Sequence, residues 1–147
     1  MGYTIRCDFC KQVSWASNIV DLIDNHLDTE HILKCSNCGK SGAYIHMESS
    51  TQSNEGTWER WIKGVIRIDY KDENGEESTY HPYVLLHSHE GPQGQIDSVQ
   101  ISYYKDHRPL GGRLKHGHGP GGTPVLDLID IKNILQKLIA MKIVQHE

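Results

Sequence analysis

Two Cys-x-x-C pairs, Cys7 with Cys10 and Cys35 with Cys38, constrain this chain more than any other feature of its sequence. A Cys-x-x-C turn presents two sulfurs on one side of a tight loop. Two such turns can close one tetrahedral metal site, joined by a linker free to vary, here residues 11–34. The same thiols could pair as disulfides in an oxidising compartment. However, Met1 to Phe9 holds a single basic residue and no apolar stretch of signal-peptide length. The expectation is therefore a soluble, cytoplasmic protein whose thiolates take up metal. No window reaches the length of a membrane span, and Arg6 stands where N-myristoylation would want Ser or Thr.

With Cys7, Cys10, Cys35 and Cys38 at the four ligand positions, the arrangement resembles the zinc-ribbon and rubredoxin-like families, over residues 1–42 only. The resemblance implies one structural Zn²⁺ ion. Four thiolates leave no open position for water or substrate, so such an ion does not by itself make an enzyme. Rubredoxin-like iron knuckles carry Gly after both pairs and a Pro in the second, whereas Lys11 follows the first pair here. Modules of this shape serve in transcription, ribosomal and protein-docking settings, which implies a binding or regulatory role through nucleic acid or protein contacts.

Periodicity divides the rest. Ser17 is a candidate cap for a helix running to about Leu27, with Ile19, Val20, Ile23 and Leu27 on one face. Ser41–Gly42 marks a boundary between a metal-binding module, 1–42, and a second region, 43–147. From Ala43 the apolar period becomes two, the signature of strands. Candidate strands are Tyr44 to Glu48, Trp58 to Tyr70, Ser78 to His89 and Ile96 to Lys105. Asn74-Gly75 reads as a two-residue hairpin turn, which would set Ile66 opposite Tyr83, Gly64 opposite Leu85, Ile62 opposite His87 and Arg60 opposite His89. Thr123-Pro124 opens a helix to about Ile143 with an apolar stripe through Leu128, Ile131, Leu135, Leu138 and Ile139. The expected fold is α+β: a four-cysteine zinc knuckle with one helix, then a roughly four-stranded antiparallel meander covered by the C-terminal helix, the two parts packed as one unit.

A formal net charge of −4 argues against nonspecific polyanion binding by the whole molecule. Locally, however, Lys105, Arg108, Arg113 and Lys115 face only Asp106, so this stretch is the candidate anion site. The glycine pairs Gly111-Gly112 and Gly121-Gly122 could cradle an anion beside it. The chain has 10 histidines. His87-Ser88-His89 on a strand would send both imidazoles to one face, a candidate second metal site, although the Glu of the similar cupin motif is missing. Asp106-His107 looks like the opening of HNH-type nucleases, which makes a metal-dependent hydrolase or nuclease the alternative, with His107 as base and Asp106 at the metal. Trp61, on the polar side of its strand, is a candidate exposed anchor.

Overall fold

A computed structural model of the chain describes residues 3–48, 59–68, 71, 73–76, 78–116 and 125–145. These residues build one antiparallel, half-barrel-like curled sheet of eight strands. The strands are β1 (Tyr3–Cys7), β2 (Val13–Ala16), β3 (Ala43–Glu48), β4 (Glu59–Arg67), β5 (Tyr80–Ser88), β6 (Ser98–Asp106), β7 (Leu114–His116) and β8 (Val125–Asp127). The order across the sheet is β2-β1-β3-β4-β5-β6-β7, with β8 on β6 beside β7. This corrects the expected four-stranded meander. The segment before Cys7 is no separate ribbon, because β1 pairs with β3 through Arg6↔Tyr44 and Cys7↔Ala43 and so joins the main sheet.

The alternation that defines each strand decides which face is buried. Ile5 and Cys7 of β1, Ala43 and Ile45 of β3, Ile62 and Val65 of β4, and Tyr83 and Leu85 of β5 point into the concave side. Helix α1 (Ile19–Asp24) fills that concavity with Ile19, Val20, Leu22 and Ile23, all buried. The expected longer helix is only six residues, starting one position later: Asn18, not Ser17, is the cap, its side-chain oxygen accepting the Asp21 N–H at 2.8 Å. The chain then turns at Asn25, where His26 Nδ1 lies 2.8 Å from the Leu22 carbonyl oxygen. The core runs without interruption from Ile5 to Tyr104, across the 42/43 boundary.

The other helix, α2 (Leu128–Ala140), does not cover the sheet, and none of its residues is buried. The expectation failed because Val125–Asp127, read as the first helical turn, instead pairs with Ser98–Gln100 as β8, which leads α2 off the sheet edge. Asp127 makes no side-chain capping bond to α2. The expected cap at Thr123-Pro124 and the strand ends at Trp58 and Tyr70 lie outside the described residues.

The β4–β5 hairpin keeps part of its expected register. The pairs nearest the turn are one residue out, with Gly64 facing Leu86 and Ile66 facing Val84, and only beyond them does Ile62 face His87 as expected. A bulge between Ile62 and Gly64 brings the register back. It lies where residues 31–33 join the free edge of β4: the Leu33 N–H reaches the Lys63 oxygen at 3.0 Å and the Val65 N–H reaches the His31 oxygen at 2.9 Å. On the outer face, uncharged residues form cross-strand rows: Ile66, Val84 and Ile101; Leu86, Val99 and Leu126; Pro82 and Tyr103.

Candidate metal centre

The first cysteine pair lies where β1 runs out into its turn to β2, and the second lies in the turn that leads to β3. Backbone bonds shape both turns alike. The Lys11 N–H bonds the Cys7 oxygen at 3.1 Å and the Gly39 N–H bonds the Cys35 oxygen at 2.9 Å. The residue after each pair is left-handed, Lys11 at φ 65° and Gly39 at φ 73°. The sequence announces the second through its glycine and hides the first behind a lysine. The Asp8 N–H to the Gly42 oxygen, 2.8 Å, ties one turn to the other.

This frame brings all four sulfurs together, each within 4.8 Å of the others. Cys7 Sγ lies 3.7 Å from Cys38 Sγ, and Cys10 Sγ lies 3.5 Å from Cys35 Sγ. A tetrahedron with metal–sulfur bonds of about 2.3 Å has edges of roughly 3.8 Å, so the cluster is the size of a single four-thiolate site. All four thiols are free of disulfide. Backbone N–H groups point at the sulfurs: Phe9 and Cys10 at Cys7 Sγ, 3.3 and 3.5 Å, and Asn37 and Cys38 at Cys35 Sγ, also 3.3 and 3.5 Å. The Asn37 side-chain amide lies 3.6 Å from Cys10 Sγ, a contact that the spacing of the cysteines does not reveal.

These donors favour thiolate. Burial pushes the Cys7 thiol up, but the N–H groups of Cys10 and Phe9 outweigh it and leave Cys7 below the ordinary thiol range. The Gln12 N–H, and then the Asn37 amide, bring Cys10 down to about 6. Cys38 goes the other way. The Lys40 N–H lowers it, but burial and the three neighbouring sulfurs push it up to about 11. Thiolates this close repel one another, and a cation among them removes that repulsion. The donor set, its spacing and its N–H shell all fit a bound metal ion.

The other sequence-singled residues are spread over the fold. His87 is buried on the concave side, its Nε2 3.1 Å from Gln100 Oε1. His89, beyond the end of β5, is exposed and lies against Asp97, whose carboxylate accepts its backbone N–H at 3.2 Å. Neither histidine belongs to a metal-sized group of three or more such ligands among the described residues. Arg108 is bound to two carboxylates, Asp106 and Asp21, with nitrogen–oxygen distances of 2.9–3.1 Å. Those bonds hold both aspartates below the usual carboxylate range. Sequence spacing gave no sign of Asp21, which lies far from Arg108 along the chain. Lys105 and Lys115 stand opposite each other on β6 and β7, and Arg113 is exposed beside them.

His107 caps a short 3-10 turn, its carbonyl accepting the N–H groups of Leu110 and Gly112 at 3.0 and 2.8 Å. Gly121-Gly122 and His118 lie outside the described residues. A cleft of about 600 Å³ opens beside His81 and Asp106. Its Asp24 is paired with Arg67, and its Asp106 is held by Arg108. Trp61 is half-buried, stacked on His46 with ring centroids 5.2 Å apart.

No helix among the described residues is long and apolar enough to cross a membrane. Compared with known proteins, the chain matches no family model, and no curated protein or solved structure is significantly similar to it.

Proposed function

We propose that this chain is a zinc-stabilised, non-catalytic binding protein that engages a protein partner through the outer face of β4–β6 together with α2. The observation that carries this reading is the set of uncharged rows on that outer face, bounded by Lys105 at one end and Glu59 at the other. Ile66 and Ile101, opposite each other across Val84, are 39 % and 51 % exposed. Leu128, Ile134 and Leu135 of α2 are also exposed. Exposed apolar side chains grouped in this way mark a contact site for another apolar surface. A phosphate backbone would find no cation along those rows, only Lys105 and Lys115 in the row beyond them, and Arg108 already carries two carboxylates, so we favour protein over nucleic acid as the partner.

Zinc is the ion of choice for a four-thiolate tetrahedron, and a closed site contributes to folding rather than chemistry. The metal half of the proposal predicts one zinc per chain by elemental analysis of protein purified without chelator. Iron in its place would refute it.

The surface half is tested with a photo-crosslinking phenylalanine analogue at Ile101 in living cells, with the same analogue at exposed Glu30 as control. The expected result is a discrete protein adduct from position 101, lost when Ile66→Glu is added and absent from position 30. An adduct that is a second copy of this chain would make the partner a homodimer mate. Nucleic-acid adducts, or equal labelling from both positions, would overturn the reading.

A further inference from the structure

We propose a second metal site, separate from the four cysteines, formed on the convex face by His46, Glu48 and Glu59. It binds an exchangeable divalent transition-metal ion of the Zn²⁺ class. The register of β3 on β4 creates the site by setting His46 opposite Trp61 and Glu48 opposite Glu59. Residues two apart on a strand share a face, so the imidazole and both carboxylates project to the same side.

One ligand atom from each of the three lies within 4.8 Å of the others, and His46 Nε2 is 3.3 Å from Glu59 Oε1. These separations suit three donors around one ion at bond lengths of about 2.0–2.2 Å. Two further features point the same way. Like charges directly opposite on paired strands destabilise a sheet, so a cation between the Glu48 and Glu59 carboxylates is favoured there, beside Arg6, which lines the adjoining hollow. The His46 ring is also oriented in advance by its stack on Trp61, at 29° between planes. Ligands fixed on strands lose little freedom when they bind.

The donor chemistry selects the ion. One imidazole with two carboxylates favours a borderline transition metal, because Mg²⁺ and Ca²⁺ prefer oxygen alone. Three protein ligands leave coordination positions open, in contrast to the closed thiolate site. Beside His46 and Glu59 lies a hollow of about 320 Å³ that accommodates the waters filling those positions. All three side chains are exposed, so the ion exchanges with solvent.

The test uses tag-free, full-length protein whose cysteine site is already loaded with one zinc. Zn²⁺, and separately Ni²⁺, is titrated by calorimetry in the presence of excess Mg²⁺. The expected result is one additional equivalent in the wild type. Because loss of groups that merely support a metal ligand costs roughly 10–100-fold in affinity, His46→Asn or Glu59→Gln, which remove a ligand outright, weaken binding by at least about tenfold. The cysteine-bound zinc stays in place in both variants. Ni²⁺ should also quench tryptophan emission in the wild type and not in His46→Asn, since Trp61 lies against the site.

Absence of a second equivalent in the wild type refutes the proposal, and so does an equivalent that survives both variants. Glu48→Gln with Glu59→Gln removes the carboxylate repulsion without removing bulk. That variant should therefore be at least as stable as the wild type without added metal and should gain no thermal stability when Zn²⁺ is added.

Discussion

Gly64 lies so close beneath the carbonyl oxygen of His31 that a Cβ added at Gly64 would meet that oxygen at 2.5 Å. Backbone cannot move aside as a flexible side chain can, and Leu86 closes the site from another direction at 3.1 Å. Gly64→Ala should therefore destabilise the fold by about 1–3 kcal/mol, read as a lower urea midpoint with unchanged slope. An unchanged midpoint would mean that residues 31–33 are not held against β4.

Lys11 takes a left-handed backbone conformation, φ 65°, at the position where the second knuckle has Gly39. The steric cost of that conformation for a residue with a Cβ is about 1 kcal/mol. Lys11→Gly should raise the unfolding midpoint of the metal-loaded protein despite losing the Lys11 Nζ bond to the Asp8 oxygen. A drop in midpoint would show that this bond outweighs the strain.

Removing one sulfur should cost more than any surface change. Cys35→Ser leaves three thiolates and one weak ligand, so metal content should fall well below one equivalent and cooperative thermal unfolding should be lost with it. Chelator treatment of the wild type should reproduce the effect, and restored zinc should reverse it. A cooperative transition that persists without metal would show that the hydrophobic core suffices alone.

His87 adds a pH dependence. Burial lowers it to about 4, and no partner meets its Nδ1 among the described residues. The unfolded chain accepts a proton near pH 6.5 while the folded one refuses it until about 4, so stability is full above 6.5 and falls as pH drops through that window. The slope is at most about 1.4 kcal/mol per pH unit. Urea midpoints at several pH values should follow this fall in the wild type, with a shallower fall in His87→Gln. Equal slopes would place the titrating group elsewhere.

What could be read from the sequence depended on the distance over which each signal acts. The cysteine cluster was legible because both chelate turns are local, four residues each, and the ion needs nothing more from the chain. The strands β3 to β6 were visible through their alternation, but the turn arithmetic missed the register of the pairs beside the turn and met Ile62↔His87 only because the bulge shifts the strand back. The pairs nearer the turn are displaced, and the compensating bulge beside Gly64 lies where residues 31–33 join β4, which no local pattern connects to it. The helix that fills the core was underrated in role and overestimated in length, since Asn25 ends it after two turns. The apolar stripe of α2 predicted burial against this chain's own sheet, but a stripe specifies only that something apolar should face it. Arg108 was read as an anion ligand because the sequence shows only its neighbour Asp106, and its second carboxylate, Asp21, comes alongside only in the fold.

Sequence succession is broken twice among the described strands, where β8 joins β6 and where β1 is flanked by β2 and β3; at the second, everything between β2 and β3 must loop away and return before β1 can pair with β3. The cysteines stand at the two ends of that return, Cys7 closing β1 and Cys38 shortly before β3. A metal-free chain can still assemble β3 to β6 from neighbouring hairpins, but β3 would then present an unpaired edge of amides and carbonyls. Such an edge templates pairing with other chains. On this topology, metal starvation should produce aggregates that grow from β3, and the ion that holds the knuckles together also keeps the sheet from extending itself into its neighbours.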